Sequence, residues 1–219
     1  LAQYGSLLAS VGRMDQAADI LTQGLALAEA DGNRRVAARL NLGMATVHLA
    51  DGAYARAMES LEAAEAYIEN PPADRALAMA IRVNRVKVHR SLGNLETAAR
   101  EIEALLAAAG YPGVRETPGL ISALIEAAEV RRRLGDLAAA RSLADGLIER
   151  LQAHARPDSR GSIHLGRALV QRAEIRLESG DRDGAVRDLE SALPQLVEAL
   201  GDDHREAELA RDLLAAAAP

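Results

Sequence analysis

The sequence predicts an all-α protein made of five stacked helical hairpins and a C-terminal capping helix. Three observations lead there. Apolar residues make up 49% of the chain, yet Phe, Trp and Cys are absent and aromatics reach only 2%. About a fifth of the residues are Ala, the best helix former on an intrinsic scale of ~0 to 0.7 kcal/mol per ordinary residue. One short pattern, Gly followed five residues later by Ala, recurs five times at near-constant spacing.

The five copies run Gly12 to Ala17, Gly52 to Ala57, Gly93 to Ala98, Gly135 to Ala140 and Gly180 to Ala185. Each Gly follows one helical pattern and precedes another. Gly adopts the left-handed conformation that ends a helix. Asn94, Asp136 and Asp181 come next, where a side-chain oxygen caps the following helix. The Ala sits one turn into the second helix, where a methyl suits a close helix crossing and a larger group wedges it open.

From each Ala the apolar positions step by four, three and four, which is one face of an α-helix. The first unit reads Ala17, Leu21, Gly24, Ala28 and the second Ala57, Leu61, Ala64, Ile68. The third reads Ala98, Ile102, Leu105, Ala109 and the fourth Ala140, Ala144, Leu147, Leu151. The fifth reads Ala185, Leu189, Ala192, Leu196.

Turn chemistry separates the units. The links are AspGlyAsn at 31–33, AsnProPro at 70–72, the stretch from Gly110 to Gly119, ArgProAspSer at 156–159 and LeuGlyAspAspHis at 200–204. The expected repeats are 1–32, 33–70, 72–110, 117–156 and 158–200 within a single domain, 1–219. A cap at 203–218 carries Leu209, Leu213 and Leu214. That makes about eleven helices, the last with the polar outer face a repeat stack needs at its end.

Composition excludes several classes. Without Cys there is no disulfide framework and no thiolate-held zinc or iron–sulfur site. No apolar run approaches the ~18 residues of a membrane span. A net charge of −6 argues against general nucleic-acid binding. Lys87 is the only Lys among many Arg, which together with the Ala content suggests a GC-rich bacterial genome. A cytoplasmic location is expected.

These residues resemble the tetratricopeptide repeat (TPR) family over essentially the whole chain. The turn Gly and second-helix Ala match in all five units, as do the positions four and seven after each Ala. The long period is similar to kinesin-light-chain-type repeats, and so is LeuGlyAspAspHis at 200–204, with Arg205 where that link carries Pro. The resemblance implies a right-handed α-α superhelix, or solenoid, that binds proteins or peptides. It also implies an alternative. Bacterial relatives accompany Ser/Thr kinase, transcription-regulator or caspase-like protease domains, so the repeats would be a regulatory arm contacting a neighbouring domain. Self-association is a third expectation. Because the chain starts at Leu1, partway through its first helix, further sequence is expected upstream.

Departures from the family pattern carry their own expectations. Leu8, His48, His89, Arg131 and Arg176 stand where Tyr is usual, four residues before each turn Gly. Ala144 replaces a large residue, implying loose packing in the fourth unit. Arg182 replaces an apolar one. LeuGly at 42–43 falls two residues early, implying a longer first helix in the second unit. Pro194 should kink its helix.

The resemblance places the first helix of each hairpin on the concave face. Residues nine before each turn Gly are Gln3, Gly43, Asn84, Glu126 and Gln171; those six before are Ser6, Thr46, Lys87, Glu129 and Glu174. Asn84 stands where kinesin-light-chain-type repeats place an Asn that bonds the peptide backbone, a task suited to a group that donates and accepts. Arg90 and Arg132 lie three before the Gly. The candidate groove therefore comprises Asn84, Lys87, Arg90, Glu126, Glu129, Arg132, Gln171 and Glu174. A plain solvated helix face would show the same polar rows.

No catalytic, cofactor or metal role is assigned to any residue. GxSxG, GxGxxG, a phosphate loop and HExxH are all missing. His48 and His89 occupy equivalent packing positions, whereas His154, His164 and His204 are expected to face solvent. The run Arg131, Arg132, Arg133 is read as a surface ion-pair stretch, with Glu129 four residues before Arg133. The expectation is a non-enzymatic binding module with a protein or peptide partner, no nucleic acid and no membrane.

Overall fold

The computed structural model describes residues 1–10, 13–68, 74–115, 117–153 and 161–217, with Ser6, Leu7 and Ser10 as backbone only. Gly12, the AsnProPro and ArgProAspSer links and His154 lie outside the described residues. Every regular element described is an α-helix. Contacts group them into two compact units, Leu1–Tyr111 and Pro112–Pro219.

The first unit holds α1 (Ala2–Ser10), α2 (Met14–Ala30), α3 (Arg34–Ala50), α4 (Tyr54–Ala66), α5 (Arg75–Ser91) and α6 (Leu95–Ala108). The second holds α7 (Pro118–Arg133), α8 (Leu137–Ala153), α9 (Ile163–Glu178), α10 (Arg182–Leu200) and α11 (Arg205–Ala217).

The repeat motif sets the turns. Gly52, Gly93, Gly135 and Gly180 adopt φ of 71°, 79°, 81° and 81°, the left-handed region that costs an L-residue with a side chain roughly 1–2 kcal/mol. Behind each lies a Schellman closure, in which the residue after Gly reaches back to the carbonyl five earlier. Asn94 N–H donates to His89 O at 2.9 Å and Gly93 N–H to Arg90 O at 3.1 Å. Asp181 N–H donates to Arg176 O at 2.8 Å in the same way.

Two of the three expected caps form. Asp136 Oδ1 accepts from Ala139 N–H at 3.1 Å, and Asp181 Oδ1 from Gly184 N–H at 3.0 Å. Asn94 sits at the cap position of α6 but makes no side-chain cap bond. Thr117 and Ser162 cap α7 and α9, accepting from Leu120 and Leu165 N–H at 3.2 Å each.

Ala17, Ala57, Ala98, Ala140 and Ala185 are all fully buried. The next position on that face, Leu21, Leu61, Ile102 or Leu189, is a large buried side chain, and Ala144 takes its place in α8, packed with Ala140 and Ile175. The LeuGly at 42–43 does not lengthen α3, which spans 17 residues like α5. Its Gly43 instead makes room: a Cβ there would lie 2.9 Å from Leu21 Cδ2, and one at Gly5 2.6 Å from the same atom. Leu21 is thus seated between α1 and α3. α10 continues through Pro194 to Leu200.

Within each unit, neighbouring helices pack in chain order, and first helices also pack on one another: α1 on α3, α3 on α5, α7 on α9, α9 on α11. Among the described residues, second helices do not pack on second helices. We call the side on which first helices pack on one another the inner side of each unit.

Candidate functional site

In the first unit the inner face comes from α3 and α5, and their composition is one-sided. α3 contains Arg34, Arg35 and Arg39 and no Asp or Glu. α5 contains Arg75, Arg82, Arg85, Lys87 and Arg90, again with no Asp or Glu. Three of these cations serve the fold. Arg34 donates to Ala66 O at 2.9 Å and lies 5.5 Å from the Tyr67 ring centroid. Arg35 pairs with Asp74 at 2.9 Å. Arg85 bridges Glu65 on α4 and Glu101 on α6, at 3.0 and 3.1 Å. Arg39, Arg75 and Arg82 bond to no described residue.

The sequence-predicted residues of this unit reach the surface. Thr46 is exposed and its hydroxyl donates to Leu42 O at 3.0 Å. Asn84, Lys87 and Arg90 are half-buried. The Asn84 amide donates to Ala80 O at 2.9 Å, one turn back on its own helix.

The second unit behaves differently. Glu126 and Gln171, expected to face a groove, are 4% and 6% exposed. Gln171 Nε2 donates across to Ile125 O at 2.6 Å, so this side chain ties α9 to α7. The position nine before the turn Gly falls into the seam between packed first helices, and a long side chain there is enclosed by it. One turn on, Arg132 donates to both carboxylate oxygens of Glu129 at 2.8 and 2.9 Å and also reaches Glu178. Arg133 donates to Glu129 at 2.8 Å, and Arg131 pairs with Asp136 at 3.8 Å. The basic run is therefore spent on intramolecular pairs. Glu174 is half-buried; burial, with Glu129 and Glu178 nearby, pushes its pKa above the usual carboxylate value, against the pull of Arg132.

Sequence reasoning missed a repeated ion bridge. Arg85 and Glu101 lie eight residues before and after Gly93, and Arg172 and Asp188 lie at the same offsets from Gly180. Arg172 donates to Asp188 at 2.9 and 2.6 Å and to Asp145 on α8 at 2.8 Å. Arg176, standing where Tyr is usual, adds 3.0 Å to Asp188 and donates to Gly184 O at 2.8 Å. The shared offset was the available signal. Arg182 also finds its reason: it donates to Ala217 O at 2.6 Å and Ala216 O at 2.7 Å, satisfying carbonyls at the end of the capping helix.

The histidines are mostly structural. Burial, reinforced by Arg56, lowers the His48 pKa below its usual value. His164 is half-buried rather than solvent-facing, and burial beside Arg167 lowers its pKa too. His204 is half-buried, its Nδ1 accepting from Glu206 N–H at 3.2 Å at the start of α11. Among the described residues no group of three or more His, Cys, Asp or Glu side chains is arranged to hold a metal ion. No described helix is long and apolar enough to cross a membrane.

No protein-family model matches the sequence, and no curated protein matches it. Solved structures do match. BtubC (BKLC) from P. vanneervenii is 15% identical, with 96% of this chain and 82% of that one covered at a TM-score of 0.66. The kinesin-light-chain TPR-like repeats of Podosopora anserina are 16% identical, with 91% and 94% covered at 0.59. A tetratricopeptide repeat protein from Parabacteroides merdae is 14% identical, with 99% and 82% covered at 0.54. At these identities the likeness concerns the fold, which is that of the tetratricopeptide repeats.

Proposed function

We propose that this chain, an all-α protein with the tetratricopeptide-repeat fold, binds a segment of another protein along the inner, first-helix faces of its units. The observation that carries the reading is the packing asymmetry. First helices pack on first helices and line the inner side of each unit, while second helices stay apart. On that inner side Thr46 is exposed and Asn84, Lys87 and Arg90 are half-buried. Such a concave face suits an extended or helical segment, contacted at several successive repeats.

In this reading Asn84, Lys87 and Arg90 contact the partner from the first unit. Glu129, Arg132 and Glu174 line the second unit's face, and Glu126 and Gln171 support it from the seam. The partner is a protein, and the chain performs no chemistry on it.

Selection of binding peptides from a displayed library against the whole chain tests this. Affinity of a selected peptide should fall about tenfold, the equivalent of ~1.4 kcal/mol, in Asn84→Ala/Lys87→Ala. It should hold in Glu59→Ala/Glu62→Ala on the outward side of α4. The reverse pattern would move the binding face to the second helices and overturn the proposal.

A further inference from the structure

The side of α5 that faces away from Asn84 and Lys87 has a chemistry of its own. Arg75, Ala78, Arg82 and Arg85 follow one another at spacings of three, four and three, which puts them on one stripe of the helix. Arg85 reaches Glu65 on α4 and Glu101 on α6. The stripe therefore floors the gap between those two second helices, which do not pack on each other. The α5–α6 hairpin turns at Gly93, with Arg85 and Glu101 eight residues to either side. Both helices rise ~1.5 Å per residue, so equal offsets keep meeting further from the turn. Ala104 stands opposite Arg82 at eleven residues, and Ala108 opposite Ala78 at fifteen. Ala104 and Ala108 are exposed. Beyond the Arg85 bridge, small side chains line this part of the gap, with a guanidinium on either side of Ala78.

Arg82 occupies a core position of the repeat. Eleven residues before the turn Gly, the second, fourth and fifth repeats carry Asn41, Leu124 and Leu169, which are 7%, 1% and 4% exposed. Arg82 is half-buried and bonds to no described residue. Arg75 is exposed and bonds to none either. The nearby acids Glu65 and Glu101 are taken by Arg85. A charge drawn into a packing position is costly unless a counter-ion meets it. We propose that Arg75 and Arg82 hold a phosphate group over Ala78, in the gap between α4 and α6. Seven residues of helix separate the two, a rise of about 10.5 Å, so two long side chains converge on an anion placed between them. Each guanidinium offers two parallel N–H bonds. A single carboxylate is filled by one such fork. A phosphate monoester has three acceptor oxygens and a charge of about −1.5 to −2 at pH 7, and takes both. The site lies across α5 from the first-helix face and does not depend on the groove reading.

The test is isothermal titration calorimetry of the whole chain with inorganic phosphate, at fixed pH and ionic strength. The parent should bind with a Kd of about 1 mM or tighter. Arg82→Leu, which places there the residue of the fourth and fifth repeats, should weaken binding by about tenfold or more. Arg75→Gln should weaken it by less. Arg187→Gln, the loss of an exposed cation on α10, should leave it unchanged. Asn84→Ala/Lys87→Ala, on the other side of α5, should leave it unchanged as well. Acetate should bind at least about tenfold more weakly than phosphate. Should Arg82→Leu fail to fold by circular dichroism, Arg82→Gln serves, with the same loss expected.

Four results would overturn the proposal. They are no binding of phosphate at about 10 mM, undiminished binding in Arg82→Leu, and acetate binding as tightly as phosphate. The fourth is a loss in Asn84→Ala/Lys87→Ala equal to that in Arg82→Leu, which would move the anion to the first-helix face. With the site upheld, a phosphoserine peptide and its unphosphorylated twin identify the source of the phosphate. A phosphoserine peptide that binds tighter than inorganic phosphate, and needs Arg82, assigns the site to a phosphorylated protein. One that binds no tighter assigns it to a small phosphate compound.

Discussion

The two units use one scaffold and dispose of their charge in opposite ways. In the first, Arg34, Arg35 and Arg85 are spent on the fold, and Arg39, Arg75 and Arg82 bond to no described residue. In the second, Arg132 is held by Glu129 and Glu178, while Arg172 and Arg176 converge on Asp188, whose side chain is 5% exposed. The difference teaches that the Gly–Ala framework leaves charge free to vary. The same Arg type is left without a bonded acid among the described residues at Arg39 and ties helices together at Arg172.

The comparison can be broken most directly at the repeated ion bridge. Asp188→Ala leaves two guanidinium groups facing a buried gap and should cost about 3–5 kcal/mol, the range for breaking a buried pair. Its counterpart Glu101→Ala, at a bridge whose side chains are 26% and 30% exposed, should cost about 1 kcal/mol or less. Urea unfolding followed by circular dichroism measures both, and equal losses would erase the distinction between the units.

The turns should show no such difference. Gly93→Ala and Gly180→Ala force a side chain into the same left-handed φ, and each should cost about 1–2 kcal/mol. A large gap between them would mean that the turns are not equivalent.

Capping should separate the units again by a smaller amount. Asp181→Ala loses the bond to Gly184 N–H and should cost about 1 kcal/mol. Asn94→Ala removes a side chain that caps nothing and should leave the unfolding midpoint unchanged.

The smallest effect is the pH dependence that Glu174 gives the second unit. Glu174 has a folded-state pKa raised by burial, so the folded protein holds its proton more tightly than the unfolded chain does. Stability from this group is fully present below the unfolded pKa and is lost as pH rises through the folded one. Glu174→Gln should therefore be slightly more stable than the parent at pH 7, an advantage that vanishes below about pH 4. A midpoint shift of the opposite sign at pH 7 would show that attraction from Arg132 outweighs burial.

Much of the framework was legible because it is local. A positive φ needs Gly, a close crossing needs Ala, and both recur at a fixed offset that five copies make visible. Asp136 and Asp181 could be read as caps from position alone. Asn94 could not be told from them, because whether a side chain turns back onto N–H groups depends on geometry that composition does not carry. In the first unit the register put Asn84, Lys87 and Arg90 at half-buried positions. In the second unit the same register is buried. Glu126 and Gln171 share the register of Asn84, but the α7–α9 seam closes over them, and helical periodicity records a direction without recording what lies there.

The sequence by itself determined the helices, their turns, the buried Ala and Leu positions and the all-α repeat class. These follow from backbone preference and a 3.6-residue period acting within each hairpin. Only the tertiary structure decided which charged side chains are consumed and which remain. Ion pairing here joins helices through residues 12 to 46 apart in the chain, and no local rule says which acid a given Arg will meet. The missing aromatics acquire a reason in the same step. Gly5 and Gly43 bring first helices close enough for Leu21 to fill the space between them, so a core of Ala, Leu, Val and Ile closes without large rings.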